Sequence, residues 1–161
     1  MVKNTLFLRM VANIQFSFFL RLIVMKCVVL AGFLFLLSCT DNSVERNPFL
    51  YETRFDQSIN LALPAFDNLN YQGGSMYWAN GGIKGLLLFN LSGTILAWEA
   101  SCPNQAPSSC STLQISGITA TCPCDDFQYS LATGQPLVEG ATYSLLFYKV
   151  QQNGTLVRIY N

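Results

Sequence analysis

Residues Ser101–Leu137 read SCPNQAPSSCSTLQISGITATCPCDDFQYSLATGQPL and hold four of the six cysteines of the chain. Two cysteine-bearing loops, Cys102–Cys110 and Cys122–Asp126, flank the apolar-polar run Thr112–Thr121. Ser116-Gly117 lies at the centre of that run, so the pattern predicts a hairpin that presents thiols at both of its ends. We therefore expect the rest of the folded chain to be the scaffold of these two loops.

The sequence around these loops predicts β structure throughout. From Ser58 onward, short apolar alternations are interrupted about every eight to twelve residues by Gly, Asn, Pro or Ser, and no convincing helix follows Cys39. The run Leu86–Phe89 is continuously apolar, which indicates a strand buried on both faces. Asn153-Gly154 is the strongest hairpin signal in the chain. The predicted strands are Ile59–Leu63, Met76–Ala79, Lys84–Asn90, Thr94–Glu99, Leu113–Ile115, Ile118–Cys122, Phe127–Leu131, Tyr143–Gln151 and Thr155–Tyr160.

The N-terminal region has the layout of an export signal. Met25-Lys26 precedes the uncharged apolar run Cys27–Leu37, which is too short to span a bilayer comfortably. Leu36-Leu37-Ser38-Cys39 resembles a bacterial lipobox, which implies that Cys39 is acylated and becomes the new N-terminus. A buried apolar helix that ends in cysteine is the plain alternative. Another is an uncleaved membrane anchor with Arg21 and Lys26 on the cytoplasmic side.

These observations divide the chain into three predicted parts. Residues 1–38 are the signal peptide, with Met25 as the suspected true start. Residues 39–47 are the lipidated N-terminus and a polar linker, and residues 48–161 are the β domain. We expect the domain to lie outside the cytoplasm in the cell envelope, as a membrane-anchored lipoprotein of the outer membrane or the periplasmic face.

Charge and composition narrow the classes of function. Without residues 1–38 the chain keeps five basic residues against nine acids, and it has no basic run, so nucleic acid is an unfavoured partner. The chain contains no histidine, which excludes Ser-His-Asp and Cys-His catalytic sites. It also lacks a glycine-rich phosphate loop. We expect a protein that is not an enzyme.

The two cysteine loops resemble the cluster-binding half of a Rieske iron–sulfur domain, which has Cys-x-His on one loop and Cys-x-x-His on the other. Cys102-Pro103-Asn104 is similar to the first loop and Cys122-Pro123-Cys124-Asp125 to the second. Thr133-Gly134-Gln135-Pro136 is similar to the Thr-Gly-x-Pro turn of the family. The resemblance covers roughly Lys84–Tyr160. It implies an all-β Rieske-like (ISP domain) barrel or sandwich with a small cysteine-loop subdomain.

Both cluster histidines are replaced in this sequence. Cys102 and Cys122 occupy the thiolate positions, whereas Asn104 and Asp125 occupy the histidine positions. A neutral amide oxygen is a poor iron ligand, and an anionic oxygen would lower the reduction potential that imidazole raises. The resemblance places the two cluster sulfurs close together, so it implies a Cys102–Cys122 disulfide where no metal holds them.

Cys124 lies where high-potential Rieske proteins have a cysteine that bridges to the first loop, and Cys110 is its available partner. Four cysteines permit three connectivities, so the sequence leaves the pairing open. We expect an exported, lipid-anchored domain whose cluster is replaced by disulfides and which acts as a structural or binding module without a cofactor.

Two alternatives remain at this stage. One is a [2Fe–2S] electron-transfer protein in which Asn104 and Asp125 complete the ligand set of Cys102 and Cys122. The other is a zinc or iron site made by all four thiolates, although Cys-x-Cys is tighter than the usual spacing of zinc cysteines. The protein or redox partner is not identified by the sequence.

Overall fold

A computed structural model describes Met25 and residues 47–161 of the chain. The chain divides into two compact units, Met1–Glu45 and Arg46–Asn161, and the described residues other than Met25 all belong to the second. Apart from Met25, the predicted signal peptide, with the lipobox and Cys39, lies outside the described residues. Within the part of the chain that the structure describes, no helix is both long and apolar enough to cross a membrane.

The second unit is built from nine antiparallel strands and one short 3₁₀ helix, which confirms the predicted all-β class. The larger sheet has six strands in the order β1-β9-β8-β4-β3-β2, and the smaller sheet has three in the order β5-β6-β7. The strands are β1 Asp56–Asn60, β2 Ser75–Trp78, β3 Leu86–Leu91, β4 Thr94–Glu99, β5 Gln114–Ser116, β6 Thr119–Thr121, β7 Gln128–Ser130, β8 Phe147–Asn153 and β9 Leu156–Tyr160.

The smaller sheet is inserted in the chain between β4 and β8 and forms the cysteine-loop subdomain. β8 pairs with β4 only through Phe147 and Tyr148, and with β9 through Lys149–Asn153. The larger sheet therefore changes partners partway along β8 and curls. Because β4 and β8 are neighbours in the larger sheet, the inserted segment leaves and returns at adjacent positions.

Strand β3 is shared by two hydrophobic cores. Leu86 and Leu88 belong to a core formed with β1, β9 and the 3₁₀ helix. Leu87 and Phe89 belong to a second core formed with the cysteine-loop subdomain. Successive side chains of a strand point to opposite faces, so a continuously apolar strand can serve both cores. The predicted burial of Leu86–Phe89 on both faces is confirmed.

The 3₁₀ helix Pro64–Asn70 was not predicted. Strand β1 ends at Asn60, not at the predicted Leu63, and Pro64 begins a helix where the prediction placed only the end of a strand. Phe66 and Leu69 are both buried. Side chains three residues apart eclipse in a 3₁₀ helix, so this spacing turns both side chains toward the first core.

The hairpin turns follow from glycines with positive φ. Ser92 and Gly93 have φ of 53° and 93° between the paired Leu91 and Thr94, as a type I′ turn requires. Asn153 pairs with Leu156, so the last turn is centred on Gly154-Thr155 and not on the predicted Asn153-Gly154. Only Gly154 has positive φ in that turn, which is the pattern of a type II′ turn.

Candidate functional site

The two cysteine loops meet, and their sulfurs are joined in two pairs. Cys102 is bonded to Cys122, with their Cα atoms 5.6 Å apart, and Cys110 is bonded to Cys124, with their Cα atoms 5.4 Å apart. These are the pairs that the family resemblance implied. A hydrogen bond also links the two loops: Gln105 Nε2 donates to the Cys122 sulfur at 3.0 Å.

The two disulfides lie in different environments. Cys102 and Cys122 are both 0% exposed and belong to the second core. Cys110 is exposed and Cys124 is half-buried. We name the first the inner disulfide and the second the outer disulfide. The inner bond is part of the packed interior, whereas the outer bond lies at the surface of the cysteine-loop subdomain.

Asn104, at the first histidine position, makes four hydrogen bonds within the protein through its side chain. Its Nδ2 donates to the Tyr129 hydroxyl at 2.8 Å and to the Tyr143 carbonyl at 2.9 Å. Its Oδ1 accepts from the backbone amides of Thr142 and Tyr143 at 2.8 and 2.9 Å. A side-chain amide has two donor hydrogens and two acceptor lone pairs, so its hydrogen-bonding capacity is used up. Asn104 therefore ties the first cysteine loop to the segment before β8.

Tyr129 completes this arrangement from the smaller sheet. Its ring is fully buried on β7, and its hydroxyl accepts from Asn104. Burial raises the pKa of Tyr129 to about 12, the hydrogen bond from Asn104 partly offsets that rise, and the negative charge of Asp125 adds to it. Tyr129 is therefore neutral and serves as a hydrogen-bond partner near neutral pH.

Asp125, at the second histidine position, is also held within its own loop. Its Oδ1 accepts from the Phe127 amide at 3.0 Å, which closes a turn, and its Oδ2 accepts from Gln105 Nε2 at 3.3 Å. The next residue, Asp126, has φ of 58°, a left-handed conformation that Asp tolerates. Asp125 thus shapes the second loop and links it to the first through Gln105.

These residues do not fit a Rieske cluster. Both lone pairs of the Asn104 oxygen accept backbone hydrogen bonds, so none is free for a metal. Each Asp125 oxygen already accepts a hydrogen bond. Among the described residues, no group of three or more His, Cys, Asp or Glu side chains is placed to hold a metal ion. The side-chain oxygens that would have to bind iron under the resemblance instead accept hydrogen bonds that shape the two loops.

Glu99 anchors the base of the first cysteine loop. Its buried carboxylate accepts from the backbone amides of Ile83, Lys84 and Ser101 at 2.7 to 2.9 Å, and from the Tyr148 hydroxyl at 2.6 Å. Burial and the hydrogen bond to Glu99 raise the pKa of Tyr148 far above its usual value. A buried carboxylate needs such donors to offset its lost hydration. Glu99 therefore joins the end of β4, the loop before β3 and strand β8.

Sequence reasoning missed several residues of this site. The sequence marks Glu99 only as the last residue of a predicted strand, and Gln105 only as a loop residue. The partners of Asn104 lie 25 to 39 residues away in the chain, so no local pattern pointed to them. The strand position of Tyr129 was predicted, and its hydroxyl in an apolar strand was the available signal, because a buried Tyr hydroxyl usually finds a partner.

The larger curled sheet, the inserted three-stranded sheet and the joined cysteine loops correspond to what the family resemblance implied. The described domain thus has the all-β architecture with a small cysteine-loop subdomain that the resemblance to the Rieske family implies. It differs from the Rieske pattern at Asn104 and Asp125, the two residues that would have to be cluster ligands.

Solved structures of ferredoxins and oxygenases are similar to this chain. A chain of the complex of reduced oxygenase and oxidized ferredoxin in carbazole 1,9a-dioxygenase is 18% identical, with a TM-score of 0.45, and the match covers 64% of this chain and 92% of that chain. The ferredoxin of carbazole 1,9a-dioxygenase from Nocardioides aromaticivorans IC177 is 15% identical, with a TM-score of 0.44, covering 68% and 98%. The Sphingomonas yanoikuyae B1 ferredoxin is 16% identical, with a TM-score of 0.42, covering 56% and 88%.

No protein-family model and no curated protein matches the chain.

Proposed function

We propose that the chain is an exported, lipid-anchored Rieske-like domain in which two disulfides have replaced the iron–sulfur site, and that it acts as a structural or binding module. It needs no cofactor in this role, and it is not an enzyme. The observation that carries the proposal is the state of Asn104, whose oxygen accepts two backbone hydrogen bonds where the family has a metal-binding histidine.

The inner disulfide supports the same proposal. Cys102 and Cys122 occupy the two thiolate positions of the family, and here each sulfur is bonded to the other inside an apolar core. A disulfide sulfur is no longer a thiolate, which is the form that binds metal. Disulfides persist in oxidising compartments outside the cytoplasm, so the pairing agrees with export through the N-terminal signal and anchoring through Cys39.

A single set of measurements tests the loss of the cluster. The full chain is purified without air and without added reductant, and then examined for visible absorption, iron content and thiols that react in denaturant. We expect a colourless protein with well below one iron per chain and with Cys102, Cys110, Cys122 and Cys124 all unreactive. A brown protein with about two irons per chain would instead support the electron-transfer alternative.

The control variant Cys102→Ser shows that the thiol assay can detect a free partner. Loss of the Cys102 sulfur leaves Cys122 unpaired, so one additional thiol must react in denaturant. A wild-type chain that also shows reactive Cys102 and Cys122 and carries no iron contradicts the proposed disulfide replacement.

Anchoring is tested by the mass of the N-terminal peptide. We expect the mature chain to begin at an acylated Cys39 and to fractionate with the cell envelope. Cys39→Ala removes the acylated residue, and we expect that variant to keep residues 1–38. A wild-type chain that retains residues 1–38 and carries no acyl group contradicts lipid anchoring, whatever the outcome for the disulfides.

A further inference from the structure

The inner and outer disulfides join the same two loops but differ in access to solvent. The inner pair, Cys102 and Cys122, is 0% exposed, whereas Cys110 of the outer pair is exposed. Because the inner bond already connects the two loops, opening the outer bond leaves them covalently joined. The outer bond can therefore open and close without releasing either loop from the domain.

Ser108 lies beside the outer disulfide, and its hydroxyl contacts both sulfurs. Its Oγ is 3.4 Å from the Cys110 sulfur and 3.7 Å from the Cys124 sulfur. A disulfide sulfur carries no hydrogen, so the serine hydroxyl is the donor in either contact. The same hydroxyl is in place to stabilise negative charge on the sulfur that is released when the bond opens.

Ser111 holds Ser108 in this position. The Ser108 amide donates to Ser111 Oγ at 2.8 Å, and Ser111 Oγ donates to the Ser108 carbonyl at 3.0 Å. Ser111 is 0% exposed, so this pair of hydrogen bonds is anchored in the interior while Ser108 faces the outer disulfide. These bonds fix the backbone of Ser108, and its side chain therefore starts from a defined position beside the outer disulfide.

The lack of basic residues in the surrounding segment makes the hydrogen bond from Ser108 more important. The segment 100–146 contains no lysine, arginine or histidine, and its charged residues are Asp125, Asp126 and Glu139. A thiolate is usually stabilised by a neighbouring cation, and this segment supplies none. Ser108 is the donor that the described structure brings to both outer sulfurs.

We propose that the outer disulfide is a thiol–disulfide exchange site that reacts reversibly with an external dithiol while the inner disulfide stays closed. A thiolate of the dithiol attacks the sulfur of the exposed residue Cys110, the bond to Cys124 breaks, and the electron pair leaves on Cys124. The Cys124 thiolate accepts the hydrogen bond from Ser108 and then a proton from water. The second thiol of the dithiol displaces the Cys110 thiolate, which is protonated in turn, and the reductant departs as a disulfide after giving up two electrons.

This inference rests on the disulfide pairing of the proposed function and adds an activity to it. The test uses the folded full chain, placed in mixtures of reduced and oxidised dithiothreitol of increasing reducing strength. Free thiols are then blocked with N-ethylmaleimide, and labelled cysteines are identified by peptide mass spectrometry. We expect Cys110 and Cys124 to become labelled together, and oxidised dithiothreitol to reverse this, with an unchanged circular dichroism spectrum.

The inner pair is the internal control. Cys102 and Cys122 are expected to resist labelling until denaturant is added. Reduction of both disulfides at the same reducing strength, or reduction of the outer bond only with loss of the folded spectrum, would overturn the exchange site while leaving the proposed function intact. Free Cys102 and Cys122 before any reductant is added would overturn both.

Variants of Ser108 separate its role from a merely structural one. We expect Ser108→Ala to slow reduction of the outer bond about fivefold, as the loss of about one hydrogen bond implies. Ser108→Thr keeps the hydroxyl and should restore most of the rate. The neighbouring exposed residue provides the matched control, Ser109→Ala, which should react at the wild-type rate. Equal rates for Ser108→Ala and wild type would remove Ser108 from the mechanism.

Discussion

Asn104 is a residue whose side chain supports three separate parts of the molecule at once. Its amide reaches the Tyr129 hydroxyl in the smaller sheet and the backbone of Thr142 and Tyr143 before β8. Removing the side chain leaves a fully buried Tyr hydroxyl without this partner, and such unpaired groups cost about 1–3 kcal/mol each. The residue thus stabilises the cysteine-loop subdomain and joins it to the segment before β8.

We expect Asn104→Ala to lower the free energy of unfolding by about 2–4 kcal/mol in urea titrations. The matched control is Asn68→Ala on the 3₁₀ helix, where the side chain is exposed and the expected change is within about 0.5 kcal/mol. A loss for Asn104→Ala no larger than that of the control would contradict a structural role for Asn104 and reopen the question of a ligand.

Glu99 is the buried charge on which the base of the first cysteine loop depends. Glu99→Gln keeps the size of the side chain but turns one acceptor into a donor that faces backbone amide donors. Hydrogen bonds to charged groups contribute about 1.5–3 kcal/mol each, so we expect a loss of about 3 kcal/mol or more. Glu139→Gln, an exposed carboxylate in the subdomain, is the control and should be nearly neutral in the same denaturation assay.

Tyr129 gives the domain a dependence on alkaline pH with a defined sign. Its pKa is raised to about 12 in the fold, against about 10 in the unfolded chain, so above about pH 10 the unfolded state loses this proton first. The free energy of unfolding should therefore fall as pH rises from about 10 to 12, by up to about 1.4 kcal/mol per pH unit for this group.

Tyr129→Phe removes that titration. We expect the variant to be less stable near neutral pH but to show a shallower decline above about pH 10 when urea midpoints are compared with those of wild type. Tyr148, whose pKa is raised by burial and by Glu99, should maintain part of the decline in both proteins. Parallel declines in the two proteins would mean that Tyr129 does not keep its proton in the fold.

At the scale of elements, the turn Thr133-Gly134-Gln135-Pro136 shows why glycine stands where it does. Gly134 has φ of 72°, and a Cβ added there would lie 2.6 Å from the indole of Trp98. Gly154, in the β8–β9 turn, has φ of 60° but has nothing within 4 Å of such a Cβ. The two positions share a left-handed backbone conformation, which would strain any residue with a Cβ, and they differ in packing.

We expect Gly154→Ala to cost about 1 kcal/mol, from the left-handed backbone alone. Gly134→Ala should cost roughly 2–3 kcal/mol more, because the indole must also shift. Thermal unfolding of the two variants checks the difference, with the Gly154 variant as the matched control. Similar losses in both would show that Trp98 moves aside at little cost.

Strands and turns could be predicted from the sequence because their signals are local. Leu86–Phe89 was recognised as a strand buried on both faces, and all four predicted hairpin strands around Leu91-Ser92-Gly93 and Asn153-Gly154 are present. The predicted centre of the β8–β9 turn was wrong by one residue. Gly154 can occupy either central position of a two-residue turn, so the sequence allows two registers. The 3₁₀ helix could not be predicted in this way, because Pro64 suits both the end of a strand and the first turn of a helix.

The candidate site could be predicted only in part. The cysteine pairs followed from the family resemblance, because the spacing of the two loops is written in the sequence. The hydrogen bonds of Asn104 and Glu99 could not be predicted from the sequence. Their partners come from β8 and from loops that only the completed fold brings near. Residues that bind distant backbone leave no periodic pattern, whereas apolar strands do.

At the scale of the whole molecule, strands β3 and β4 form a wall between two cores. One face of β3 packs against side chains of β1, β9 and the 3₁₀ helix, and the other packs against the cysteine-loop subdomain that includes the inner disulfide. Because alternate side chains of a single strand serve both cores, β3 cannot leave one core without leaving the other. This predicts that the domain unfolds as one cooperative unit.

The two tryptophans of the chain provide one reporter for each core. Trp78 packs against the first core and Trp98 lies in the second, where its indole donates to the Leu131 carbonyl. In Trp98→Phe the fluorescence reports the first core, and in Trp78→Phe it reports the second. We expect the fluorescence midpoint in urea to coincide with the far-ultraviolet circular dichroism midpoint within each variant, although the two variants differ in stability. In Trp78→Phe, a fluorescence midpoint below the circular dichroism midpoint would mean that the cysteine-loop subdomain opens on its own and that β3 does not couple the two cores.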